Sequence, residues 1–204
     1  TKGPEPLSVK GIAADAAALL ETLGIERAHV SGLSLGSCVA QELALLRPQA
    51  VRSLQLHGTW ARADGYAGRK FRAQIRLLET LDLQSFYAIN VLWFITPERM
   101  RRDPAGVEKQ VERLAAASSR QALIEQYRAD LEHDALDRLP QIAAPTLVTV
   151  GSFDTALPPI YSEAAAAAIR GAELVLFERG GHLHNLEQPE EFNRVTLEFL
   201  RRQE

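Results

Sequence analysis

The segment AHVSGLSLGSCVAQELALL, Ala28 to Leu46, constrains the fold of this chain more than any other. His29, Val30 and Ser31 read as a short strand, whereas Val39, Leu43 and Leu46 recur at helical spacing. A strand therefore becomes a helix within the five residues Gly32, Leu33, Ser34, Leu35 and Gly36. Such a tight turn forces its central residue into strained backbone angles, and the flanking glycines remove side chains that would collide. The Ser34 hydroxyl is then presented at the carboxyl edge of a sheet. The bland alternative is a Gly/Ser turn with no chemistry.

Patterning along the rest of the chain repeats the alternation. Ser8 is placed to cap a helix with Ile12, Ala16, Leu19, Leu20 and Leu23 on one face, and Gly24 stops it. The serine helix ends near Arg47 and Pro48. Residues 51–58 then read as a strand with Leu54 and Leu56 on one side and Ser53 and Gln55 on the other, less apolar than a strand buried on both sides should be. From Ala63 to His133 the periodicity is helical only, in the sets Phe71, Ile75, Leu78; Phe86, Ile89, Trp93; Val107, Val111, Leu114; and Leu123, Tyr127, Leu131. Thr96 before Pro97 and Asp103 before Pro104 are helix starts. Strands follow at 144–151 and 172–179, around a helix that Gly171 closes, and a last helix begins near Pro189 with Phe192, Val195 and Phe199 inward. Strands alternating with helices require right-handed crossovers and a mostly parallel sheet flanked by helices. The class is α/β, with residues 1–62 and 134–204 as core and 63–133 as a helical cap insertion.

A serine is a weak nucleophile unless a base and an orienting group stand beside it, and in an open parallel sheet both belong just past later strands. Asp154 follows the strand ending at Gly151, and His182 follows the next strand behind a glycine pair. The order Ser34, Asp154, His182 is the one a nucleophile elbow calls for. His184, two residues on, is the rival base; His182 is preferred because it directly follows the glycines. His57 is read either as a pocket residue or as a hydrogen-bonded structural histidine. Trp60, Phe86, Trp93 and Phe94 are candidate substrate contacts, with helix core as the alternative. His29 and His133 are expected to be structural or solvated, and Cys38 a small buried filler.

These motifs together resemble the α/β-hydrolase fold superfamily over nearly the whole chain: the elbow, PTLVTVGSFD with its acid turn, the GGH turn, and Glu187, Pro189 and Phe192 at the start of the last helix. GLSLGS, VAQELAL and the strand after them are most similar to esterase and 3-oxoadipate enol-lactonase members. Ser37 departs from the second glycine usual there, and is small enough for the close approach. The resemblance implies an α/β-hydrolase fold and a carboxylic ester or lactone hydrolase. Ser34 would attack the acyl carbonyl, His182 would move the proton, Asp154 would orient the imidazole, and the Leu35 amide would donate to the oxyanion. No metal or organic cofactor is implied. Sibling readings are a cofactor-free haloperoxidase or perhydrolase using the same three residues, and a non-catalytic truncated hydrolase module.

Composition narrows the partners. A formal charge of −3 gives no footprint for nucleic acid, and no Lys/Arg run suggests a membrane surface. One cysteine permits no internal disulfide, which fits a reducing cytoplasm. The expected partner is a small ester or lactone. The superfamily sheet has four strands more than these patterns supply, and the residues before Ser8, TKGPEPL, read as a loop. Further strands on the native molecule, or a homo-oligomer partner, are therefore expected along the Ala28 to Gly32 edge.

Overall fold

The computed structural model describes residues 6–204, so the predicted N-terminal loop falls largely outside the described residues. The chain runs α1 (Val9–Thr22), β1 (Ala28–Leu33), α2 (Leu35–Leu46), β2 (Val51–His57), α3 (Gly65–Thr80), α4 (Leu83–Phe94), α5 (Pro97–Arg102), α6 (Pro104–Ala117) and α7 (Arg120–Glu132). It returns through β3 (Thr146–Gly151), α8 (Pro159–Ala168), β4 (Glu173–Phe177), α9 (His184–Glu187) and α10 (Pro189–Arg201). The four strands pair in the order β1-β2-β3-β4, every pair parallel. This is the α/β-hydrolase architecture of a parallel sheet flanked by helices. Among the described residues no strand pairs with the outer edge of β1.

Capping explains where the helices start. The side chains of Ser8, Thr96 and Asp103 accept from the amides of Gly11, Arg99 and Gly106, and Pro97 and Pro104 occupy first-turn positions where no N–H is needed. Between β2 and β3 the chain leaves the sheet through α3 to α7, and an antiparallel bridge between Arg62 and Asp134 closes the base of this excursion. Arg62 also pairs with Asp134 and Asp137 through its guanidinium, both at 2.8 Å.

One face of the sheet is covered by α1, α2 and α8, with Leu54, Leu56 and Val148 against Ala13, Ala17, Ala40, Leu43, Ala44 and Ala165. The helix at α1 buries only part of the stripe its leucines suggest, with Ala16 and Leu20 packed partly buried against this core. Val9, Ala13 and Ala17 face inward, and Leu19 and Leu23 are more than half exposed. Alanines on both α1 and α2 let the two helices approach closely, and both stripes have helical spacing. The other face is covered by α10, and there the polar side of β2 is buried rather than wet. Ser53 Oγ lies 2.7 Å from His29 Nδ1, and Gln55 Nε2 donates to the Thr196 carbonyl. Buried polar groups are tolerated where they find such partners.

Candidate active site

The turn between β1 and α2 has the strain its sequence demands. Ser34 stands at φ 55° and ψ −126°, a left-handed conformation that costs a non-glycine residue about 1–3 kcal/mol. A Cβ on Gly32 would run into the Gly36 carbonyl, so the strand can enter the helix only with glycine there. The Ser34 amide donates to the His57 carbonyl at 2.9 Å, tying the turn to the end of β2. Ser37, fully buried, donates to the Ser34 carbonyl at 2.5 Å and lies 2.7 Å from Thr59 Oγ1, which also accepts from Gln41 Nε2. Serine at this position fits the close approach and braces the turn.

Past the ends of β3 and β4 the two other predicted residues meet. Asp154 Oδ2 lies 2.7 Å from His182 Nδ1, and both side chains are almost wholly buried. Asp154 Oδ1 accepts from the Leu157 amide, which fixes the carboxylate. A carboxylate can only accept, so Nδ1 carries the proton and Nε2 is the free lone pair. Nε2 is buried and has no hydrogen-bond partner. Gly58 makes room for this ring: at φ +51° its missing side chain would sit 3.0 Å from the His182 Cε1 and Nδ1 atoms. Because Gly58 follows the residue that binds the Ser34 amide, Ser34 and His182 flank the same end of β2.

The histidine turn is held from the helical side as well. Glu187 accepts from the Thr96 amide through one oxygen and from the Gly181 amide through the other, and the Leu183 amide donates to the Phe94 carbonyl. The glutamate of the predicted helix start thus clamps the His182 turn to the end of α4. The Phe94 ring stands edge-on to the His182 imidazole, with centroids 5.1 Å apart. Phe94 also belongs to the wall of a cavity of about 200 Å³, together with Tyr87, Asn90, Ile95, Tyr127 and Leu183.

The other candidates separate. Trp60 is fully buried against Phe71, and Phe86 against Leu78 and Ile124, so both are interior residues rather than substrate contacts. Trp93 is half-buried and outside the cavity wall, which takes its neighbour Phe94 instead. His57 does not face the cavity; it bridges Ser31 Oγ and Thr149 Oγ1 inside the sheet and meets the Phe192 ring edge-on. His184 Nε2 binds the same Thr149 hydroxyl, whereas the Asp154 carboxylate is held by His182. Cys38 donates to the Trp60 carbonyl, and burial pushes its thiol well up, as suits a filler. Sequence reasoning missed Lys70 and Asp130, polar residues on the buried faces of α3 and α7. Their only signal was a charge interrupting an inward apolar face.

Three buried imidazoles give the protein an acid limit. Burial and then His184 hold His57 down at about 3; burial and then His182 hold His184 at about 4; burial holds His133 at about 4, its neighbour Glu42 being engaged by Arg138. Each folded value lies below that of an exposed imidazole, so the neutral form is the folded one. Their stability contribution is complete above about pH 6.5 and is lost as the pH falls toward 4, by up to about 1.4 kcal/mol per pH unit for each. Asp130, pushed up to about 7 by burial against the pull of Lys70, works in the opposite sense and offsets one of them. The melting temperature is expected to fall between pH 6.5 and 4.5; a flat or rising profile in a calorimetric scan would contradict this accounting.

Among the described residues no group of His, Cys, Asp and Glu is arranged to hold a metal ion, and no helix is long and apolar enough to cross a membrane. Comparison with known proteins agrees with the geometry. A protein of Azorhizobium caulinodans named "Putative carbamate hydrolase RutD" is 30% identical over 95% of this chain and 74% of its own length. A thermophilic esterase from Thermogutta terrifontis superposes with a TM-score of 0.86 at 27% identity, covering all of this chain and 75% of the esterase. The enol-lactonase from Burkholderia xenovorans LB400 shares the fold, with a TM-score of 0.88 at 23% identity over 98% of this chain and 76% of the lactonase. Residues 2–195 match the Alpha/beta hydrolase family as a whole. With the strained serine turn, the buried Asp154 and His182 pair and this match, the chain belongs to the alpha/beta hydrolase family.

Proposed function

We propose that the protein is a serine hydrolase that cleaves a carboxylic ester or lactone through an acyl-enzyme on Ser34. The observation that carries this reading is the buried His182 Nε2, free of any partner, on a ring whose other nitrogen is held by Asp154 beside the strained serine turn. Ser34 Oγ attacks the acyl carbonyl and its proton passes to Nε2. The Leu35 amide, at the first turn of α2, donates to the oxyanion. Collapse of the tetrahedral intermediate expels the alkoxide, which takes the proton from Nε2. Water, deprotonated by the same nitrogen, then attacks the acyl-enzyme, and the acid leaves as Ser34 recovers its proton. The test is hydrolysis of a short-chain aryl ester, with mass-spectrometric mapping of a fluorophosphonate label. Labelling at Ser34 and loss of turnover in Ser34→Ala are expected; an unlabelled Ser34 and equal rates would sink the reading. A carbamate is the rival acyl class, favoured by the name of the Azorhizobium relative. Matched aryl carbamates and esters decide between them by kcat/KM.

The same reading places a second oxyanion donor on a loop of a further strand that pairs with the free edge of β1. The chain spans about three quarters of the length of the relatives it matches. Loss of one such donor costs on the order of 3 kcal/mol, or about a hundredfold or more in rate. Residues 1–204 expressed alone are expected to turn over feebly and to self-associate. A monomer with an ordinary turnover number in a sedimentation and rate experiment would exclude the edge strand.

A further inference from the structure

The inserted helices hold a buried cation that the proposed chemistry does not use. Lys70, on α3, is 7% exposed. Its ammonium stands 5.1 Å from the centroid of the Phe71 ring and 5.3 Å from that of Phe94, and it makes no hydrogen bond or ion pair with any described residue. Phe94 is also the ring that meets the His182 imidazole. Burial lowers the lysine to about 8, against the pull of Asp154 and Asp130, so it remains mostly charged at neutral pH. A buried ammonium sheltered only by aromatic faces is poorly compensated, because ring quadrupoles replace little of its hydration.

Its surroundings lack a counterion in contact. Asp154 is committed to His182 and the Leu157 amide. Asp130, also buried, is near enough to influence Lys70 but forms no ion pair with it, and its Oδ1 has no partner. Native interiors rarely leave such groups unsatisfied, and a buried ammonium that shares the Phe94 ring with His182 has a ligand as its natural partner.

We propose that Lys70 is a specificity-determining residue of this site, which anchors a carboxylate carried by the substrate one aromatic ring away from His182. The substrate class is thereby a half-ester or a lactone acid rather than a neutral ester. This rests on the hydrolase reading above for its reaction, but the anchor itself is a binding claim. An interior Lys70 and Asp130 pair acting only at long range is the competing account, and it gives no preference between neutral and anionic substrates.

The experiment compares monomethyl succinate, glutarate and adipate with neutral methyl esters of matched length, by kcat/KM, in wild type, Lys70→Met and Lys70→Gln. Circular dichroism and Ser34 labelling report whether each variant is folded, and the glutamine variant stands in if the methionine one is not. The wild type is expected to prefer at least one half-ester by tenfold or more, and each folded variant to lose at least tenfold of that ratio. Calorimetric titration of the same half-esters into Ser34→Ala, with and without Lys70→Met, reads binding without turnover. If lysine-dependent binding persists where Ser34 is neither labelled nor active, the hydrolase reading falls and the anchor stands. An unchanged ratio, or binding indifferent to Lys70, overturns the anchor.

Discussion

Ser34→Ala is expected to lower kcat for an aryl ester by about four to six orders of magnitude while leaving the fold intact. The alanine cannot form an acyl-enzyme, and what survives is binding and the Leu35 amide acting on attack by water. A second readout separates this from a general loss of structure. Ser34 holds a left-handed conformation that alanine must also adopt, so Ser34→Ala gains little stability, whereas Ser34→Gly relieves the strain and should raise the unfolding free energy by about 1 kcal/mol. The pair of variants would therefore show equal inactivity and different melting temperatures. Residual turnover within tenfold of wild type in Ser34→Ala would remove the serine from the reaction.

Asp154→Asn should cost about four orders of magnitude in kcat with little change in overall structure, because the two side chains have nearly the same shape. In the native site Nδ1 donates to Asp154 Oδ2 at 2.7 Å, which leaves Nε2 unprotonated and able to act as a base. An asparagine amide in that place can donate to Nδ1 and so favours the tautomer protonated on Nε2, which cannot accept from Ser34. It also removes the charge that stabilises the imidazolium. The Leu157 amide would still find an oxygen, so the turn is expected to persist. Measured between pH 6 and 10, the variant should recover rate as hydroxide replaces the base. A loss below tenfold across that range would mean that Asp154 does not orient His182.

Much of this protein is written locally in its sequence. The serine turn was legible because steric exclusion at Gly32 acts over four residues. The helix starts at Ser8, Thr96 and Asp103 were legible because a cap is satisfied three residues downstream. The order of serine, acid and histidine followed from where parallel strands end. What the sequence could not settle is which side of each element meets which neighbour. Helical spacing marks residues that share a stripe, but α1 has two such stripes, and only the alanines facing it from α2 select Ala13 and Ala17 over Leu19 and Leu23. The same limit leaves Trp60 and Phe86 open between substrate contact and helix core, until packing closes around them and leaves Phe94 beside His182. Polar residues were harder still. Ser53 and Gln55 look like a wet strand face until His29 and the Thr196 carbonyl, 24 and 141 residues away, supply their hydrogen bonds. Lys70 reads only as a charge interrupting an apolar helix face until α3 sets it against two rings. Steric and capping rules act between near neighbours and are readable in one dimension, whereas burial and the satisfaction of polar groups depend on partners that only the tertiary structure brings together.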